Sequence, residues 1–179
     1  DEVRRVLEEL KEHIKRSEKR VRENEEEIRR HIEKSKRDSD ESLKELARLI
    51  KKIEDDVRRE GTREKDLDKL LKDLERYVEE HKKRLDDNLR RLEEHIKRSK
   101  EELEKNLRRL REEIEELKKA GIDEEELKKI LDEAEERHRR IEERHKDLLR
   151  KAEEVHRDSL RRLREILRRA EEVIRREKT

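Results

Sequence analysis

Leu117-Lys118-Lys119-Ala120-Gly121-Ile122-Asp123-Glu124-Glu125-Glu126-Leu127 reads as a helix end, a turn and a helix start. Gly121 suits the left-handed residue that follows a helix, and Asp123 suits the cap of the next one. Glu126, three residues after the cap, completes a capping box, and Ile122 can meet Leu127 as a hydrophobic staple. The only other glycine lies in Glu60-Gly61-Thr62, where Gly61 ends a helix and Thr62 caps its successor. With no proline, nothing else interrupts the helical pattern. The reading is three helices over about 2–60, 63–119 and 124–177, each on the order of 85–90 Å long at 1.5 Å per residue. Turns this short impose antiparallel up-down-up neighbours. The expected fold is all-α: an elongated antiparallel three-helix bundle, forming a single domain over 1–179.

The apolar residues support this. In the first segment they run from Val3, Leu7, Leu10 and Ile14 through Ile28 and Ile32 to Ile50, Ile53 and Val57. The repeat is about 3.6 residues, which leaves helices nearly straight, whereas a strict heptad would supercoil them left-handed. Of the 179 residues 62% are charged and 27% hydrophobic, a balance that often means disorder. Here periodicity outranks composition, because the apolar residues fall on one helical stripe. Pro, Cys, Met, Trp and Phe are absent, and the alphabet is rich in Leu, Ile, Glu, Lys and Arg, which favour helices and well-defined rotamers.

Register follows from three polar positions. Ser17, Asn106 and His138 recur as Ser35, Asn88 and His156, eighteen residues on in the first and third segments and eighteen back in the second. Eighteen residues are five turns of an α-helix. The same polar layer is thus stacked twice, with the second helix antiparallel to the other two. His13 joins the first group and His31 the second, each expected opposite an alanine, Ala134 or Ala152, and a leucine, Leu110 or Leu92. A third group exchanges the first two helices and comprises Asn24, His95, Ser99 and His145. A fourth sets His81 against Ser42, with Ser39 and Ser159 nearby. The same register sets Leu46 against Tyr77 and Leu167, making Tyr77 a layer-filling residue whose hydroxyl reaches water.

The physical reason for grouping is satisfaction. A buried polar group without a partner costs roughly 1–3 kcal/mol, so polar core residues must cluster. His, Asn and Ser each offer a donor and an acceptor. Because one register aligns them, such layers penalise slipped packings.

Other chemistries find little footing. Ser and His evoke acyl transfer, but no glycine elbow or oxyanion hole accompanies them, so no enzyme is expected. No two histidines stand three or four apart, and neither HExxH nor paired Glu-x-x-His occurs, so no metal and no cofactor is expected. Basic residues number 56 against 55 acidic ones, with no basic face and no stacking aromatics for nucleic acid. Charge runs such as Glu25-Glu26-Glu27 read as solvated helix faces. No run approaches the roughly 20 apolar residues of a membrane span, and no signal peptide is evident. Without cysteine there are no disulfides. The chain reads as soluble and, if produced in a bacterial host, cytoplasmic. It begins at Asp1, which implies that any initiator Met was removed or left out.

The eighteen-residue echo, the narrow alphabet, the clean caps and the polar layers together resemble de novo designed helical bundles with buried hydrogen-bond networks. The resemblance covers the whole chain. It implies a scaffold with no natural activity, whose networks specify register; a monomer requiring no partner is expected because each helix spends its one inward stripe on the other two and its outer face is almost wholly charged. It equally admits a pH-responsive bundle, in which protonation of buried histidines destabilises the fold, or a subunit of a larger designed assembly. Leu43, Leu89, Ile96, Leu107, Leu149 and Leu160 flank the stripe and are expected to broaden the core face rather than build a second interface.

Overall fold

The computed structural model describes residues 2–60 and 64–178, and their side chains except those of Glu60, Glu64 and Lys178. The expected cap at Gly61 and Thr62 lies outside the described residues. Three helices account for almost everything else: α1 (Glu2–Glu60, 59 residues), α2 (Glu64–Lys119, 56 residues) and α3 (Glu124–Lys178, 55 residues). The helix content and the three long elements are those read from the sequence.

The α2–α3 turn shows how local chemistry ends a helix. Gly121 has φ +83°, in the left-handed region that a Cβ disfavours. Its N–H donates to the Lys118 carbonyl at 3.1 Å, and the Ile122 N–H donates to the Leu117 carbonyl at 3.2 Å. These two bonds form a Schellman motif. Asp123 then caps α3, its Oδ1 accepting from the Glu125 N–H at 3.1 Å. Ile122 and Leu127 are both buried in one apolar cluster, as the staple requires. The capping box does not close: the Glu126 carboxylate lies 3.6 Å from Lys11 Nζ instead. A charged partner on the neighbouring helix draws it away from the backbone.

The packing divides into two compact units. One comprises α1 up to His31 with Leu92–Arg150, and the other Ile32–Arg91 with the chain from Lys151 on. In the first unit Leu10 of α1 packs with Ile114 near the end of α2 and with Ile122 and Leu127 at the start of α3. A second cluster joins Val21, Leu103 and Ile141. In the second unit Val57 near the end of α1 meets Leu67 near the start of α2 and Ile174 near the end of α3. Both pairings give the up-down-up order: α2 antiparallel to α1, α3 parallel to it.

Two stripe positions depart from expectation. Val3 is 45% exposed, and Tyr77 is 49% exposed. The core around Leu46 is built instead from Leu74, Val78, Leu163 and Ala170, with Leu167 packed against it. The inward face of α2 runs through Leu74 and Val78, four residues apart. Position 77 is therefore turned about 100° from position 78, toward solvent, where a phenol keeps its hydroxyl hydrated. Among the flanking leucines and isoleucine, Leu43 and Ile96 are buried and do broaden the core. No described helix is long and apolar enough to cross a membrane.

Candidate functional site

Polar side chains in the core are the natural place to look for function, because each must be offset by a partner. The most complete constellation lies in the first unit around His145, whose side chain is 2% exposed. Its Nδ1 is 2.8 Å from the Ile141 carbonyl, one turn back on α3, and its Nε2 is 2.7 Å from Ser99 Oγ on α2. A carbonyl only accepts, so Nδ1 carries the proton. In the neutral ring Nε2 then accepts from the Ser99 hydroxyl. Both ring nitrogens are satisfied without charge.

Glu25 sits beside this pair, 4% exposed. Arg144 Nε is 3.2 Å from each of its carboxylate oxygens. His145 Nδ1 lies 4.0 Å away. The reading of Glu25-Glu26-Glu27 as a solvated face is thus corrected at Glu25. Position 25 lies four residues after Val21 and three before Ile28, both buried, so it falls on the inward face as well as Asn24 does. That spacing was the available signal. Burial is tolerated because the guanidinium supplies a charge-assisted partner.

The other expected groups assemble only in part. Asn24 does not join Ser99 and His145; its Nδ2 donates to Glu102 Oε2 at 3.2 Å. His95 is drawn toward Glu27, with 4.0 Å between Nε2 and Oε2, and its ring centroid is 6.0 Å from that of His31. His156 Nε2 donates to Asp86 Oδ1 at 2.8 Å rather than bonding Ser35 or Asn88. The expected neutral layers are corrected at these three places for one reason. Carboxylates flanking the stripe are stronger acceptors than Ser or Asn, and they draw the donors. Ser35 is half-buried. Asn88, Ser42 and His81 line one cavity of about 250 Å³ in the second unit. Close by in sequence, Ser39 Oγ and Ser159 Oγ form a buried hydrogen bond of 2.8 Å. Burial, with the Arg84 guanidinium beside it, holds the His81 imidazole below its ordinary value of 6.5, against the opposing pull of Glu45 and Glu80.

His13, Ser17, Asn106 and His138 do come together, with Leu110 and Ala134, around one cavity of about 190 Å³ in the first unit. Among the described residues no hydrogen bond links the four. His13 is exposed at the rim, Ser17 and Asn106 are half-buried, and the His138 side chain is 11% exposed. His138 Nδ1 is 3.5 Å from Glu142 Oε1 on its own helix, while Nε2 is buried with no partner.

The register between helices is consistent with the polar repeat. Ser17 and His138 are 121 residues apart, and the α1–α3 bonds Glu25–Arg144, Ser39–Ser159 and Asp40–Arg162 span 119, 120 and 122 residues. Among the described residues no group of three or more His, Cys, Asp or Glu side chains is placed to hold a metal ion.

No family model matches the chain, and no curated protein sequence does. A solved structure described as a computationally designed three helix bundle matches 99% of this chain and 82% of its own, at 21% identity and a TM-score of 0.60. At that identity the likeness is one of fold, and the fold of this chain is that of a three-helix bundle similar to a designed one.

Proposed function

We propose that the chain is a designed structural scaffold, monomeric and folding as one domain, with no catalytic role, whose buried polar contacts hold the helices in one register. The observation that carries this reading is the Ser99–His145 bond of 2.7 Å, closed on its other side by the Ile141 carbonyl. A slip of one residue on either helix would strand both Ser99 and His145 in an apolar core, at roughly 1–3 kcal/mol per orphaned group. The designed neighbour in fold and the narrow alphabet support the origin. The test combines mass and register. Light scattering at micromolar concentration is expected to give the mass of one chain, 22.3 kDa. Spin labels on exposed positions of α2 and α3 are expected to give one narrow distance in the parent chain. The distribution should broaden when Ser99→Ala and His145→Leu are combined. A stable dimer, or the same narrow distance in both proteins, would overturn the reading.

A second reading, that the bundle responds to acid, is favoured by the lowered imidazole of His81. Helicity and mass followed together from neutral to acid pH distinguish the two. A plain scaffold stays helical until its carboxylates titrate, whereas an acid-responsive bundle loses helicity earlier, and replacing His81 delays the loss.

A further inference from the structure

The outward face of α3 in the second unit carries a line of charge of one sign. Counting from Arg157, arginines follow at 161, 164, 168 and 175, which are four, seven, eleven and eighteen residues on. At 3.6 residues per turn those steps keep one direction, so the five form a ridge along the helix axis, about 27 Å long at 1.5 Å per residue. All five are exposed. Arg157, Arg161 and Arg168 each stand two residues before a buried position, Ser159, Leu163 and Ala170, which turns them about 200° from the core. Among the described residues only Arg161 of the five has an ion-pair partner, Asp158 at 2.7 Å. The outward lines of α1 and α2 in this unit mix their signs: Glu41 falls between Arg37 and Arg48, and Glu80 between Arg76 and Lys83. The overall balance of 56 basic and 55 acidic residues conceals the ridge, and the expectation of no basic face is corrected on α3.

Charge and shape together select the partner. Guanidinium groups stay charged at every working pH and donate to phosphate oxygens in pairs. The ridge is narrow: Glu154, Glu165 and Glu172 border it on one side and Glu171 on the other. A flat anionic surface or a duplex would press its phosphates against those carboxylates, whereas a single thin chain can follow the ridge alone. No Phe, Trp or Tyr lies on α3, so no such ring there stacks a base. We infer that the ridge binds a linear phosphate chain without bases, an inorganic polyphosphate, laid along Arg157, Arg161, Arg164, Arg168 and Arg175 with its oxygens accepting from the guanidinium groups.

Calorimetric titration of the full chain with an inorganic polyphosphate long enough to span the ridge is the test. Saturable binding is expected in the micromolar to submillimolar range at physiological salt. The logarithm of the affinity should fall against that of the salt concentration with a slope of about −3.5, from roughly 0.7 for each of the five charges neutralised on a single strand. Arg164→Gln combined with Arg168→Gln is expected to weaken binding roughly tenfold and to flatten that slope by about 1.4. Arg37→Gln combined with Arg48→Gln removes the same charge from the mixed face of α1 and should weaken binding less than about twofold, because screened charges act over about 8 Å. Glutamine keeps nearly the helix propensity of arginine, so all four exposed sites tolerate the change. The inference is overturned if polyphosphate shows no saturable binding to the unaltered chain, or if the two pairs of substitutions weaken it by the same factor. It is overturned equally if a thymidine oligonucleotide of the same charge binds as tightly, which would make the ridge a surface for nucleic acid.

Discussion

Arg144 reaches Glu25 from α3 to α1 with Nε 3.2 Å from both carboxylate oxygens, making a buried acid with a half-exposed base. The asymmetry sets the energetics. Glu25 has been taken out of water, and Arg144 is what compensates it. Arg144→Ala is expected to cost about 2–3 kcal/mol, since it leaves a carboxylate with no cationic partner but within reach of some water. Replacing both residues by leucine should cost less than Arg144→Ala alone. Urea denaturation of the two single variants and the double variant measures the coupling.

The two buried serine contacts are expected to respond differently to truncation. Ser99→Ala strands His145 Nε2, because the ring is already fixed by the Ile141 carbonyl and cannot turn elsewhere. A loss of about 1–3 kcal/mol should follow. Ser39→Ala frees the Ser159 hydroxyl, which can rotate to the carbonyl one turn back on its own helix. That loss should be smaller, about 0.5–1 kcal/mol. Equal midpoints for the two variants in the same denaturant would contradict this account.

Gly121 isolates a backbone effect. Nothing lies within 4 Å of where its Cβ would stand, so any cost of Gly121→Ala comes from the φ of +83° alone. About 1–2 kcal/mol is expected for an alanine in the left-handed region. Gly121→Asn should recover part of it, because asparagine tolerates that conformation. Thermal melts of the three chains at one pH would rank them Gly, Asn, Ala.

His81 gives the pH dependence its sign. Its imidazole is held below the ordinary 6.5 in the folded chain, first by burial and then by Arg84. Above that ordinary value both the folded and unfolded chains carry a neutral ring, and pH has no effect through this group. As pH falls below it, the unfolded chain takes up a proton that the folded chain resists, so stability declines. The decline ends once pH passes the lower folded value. Between about pH 7.5 and 5.5 the denaturation midpoint should fall more in the parent than in His81→Gln, with 6.5 as the point where the two curves part.

How far the sequence could be read depended on the kind of interaction. The turn at Gly121 and the inward placing of Leu10, Ile28 and Ile32 rest on local backbone chemistry and on apolar periodicity, which depend on nothing beyond residue type and spacing. The structure brings His13, Ser17, Asn106 and His138 to one cavity and sets Ser99 2.7 Å from His145, residues grouped in the sequence by their height along the helices. Partner choice was not legible. Asn24, His95 and His156 turn to Glu102, Glu27 and Asp86. A flexible side chain ending in a carboxylate covers several positions, so periodicity does not say which donor it takes. Tyr77 shows the complementary case: a shift of one residue along α2 is small in register but about 100° in direction.

The polar contacts are unevenly shared among the helices. Ser159, His145, Arg144, His156 and Arg162 all belong to α3, and each answers a residue on α1 or α2. Between α1 and α2 themselves, Glu102 with Asn24 and Arg20, and His95 with Glu27, do comparable duty. The third helix therefore carries the complement to residues on both of the others, Glu25, Ser39 and Asp40 of α1 and Asp86 and Ser99 of α2. A chain severed at the Gly121 turn would divide into a helical hairpin and a cognate helix, and the α3 sequence would determine which hairpins accept it.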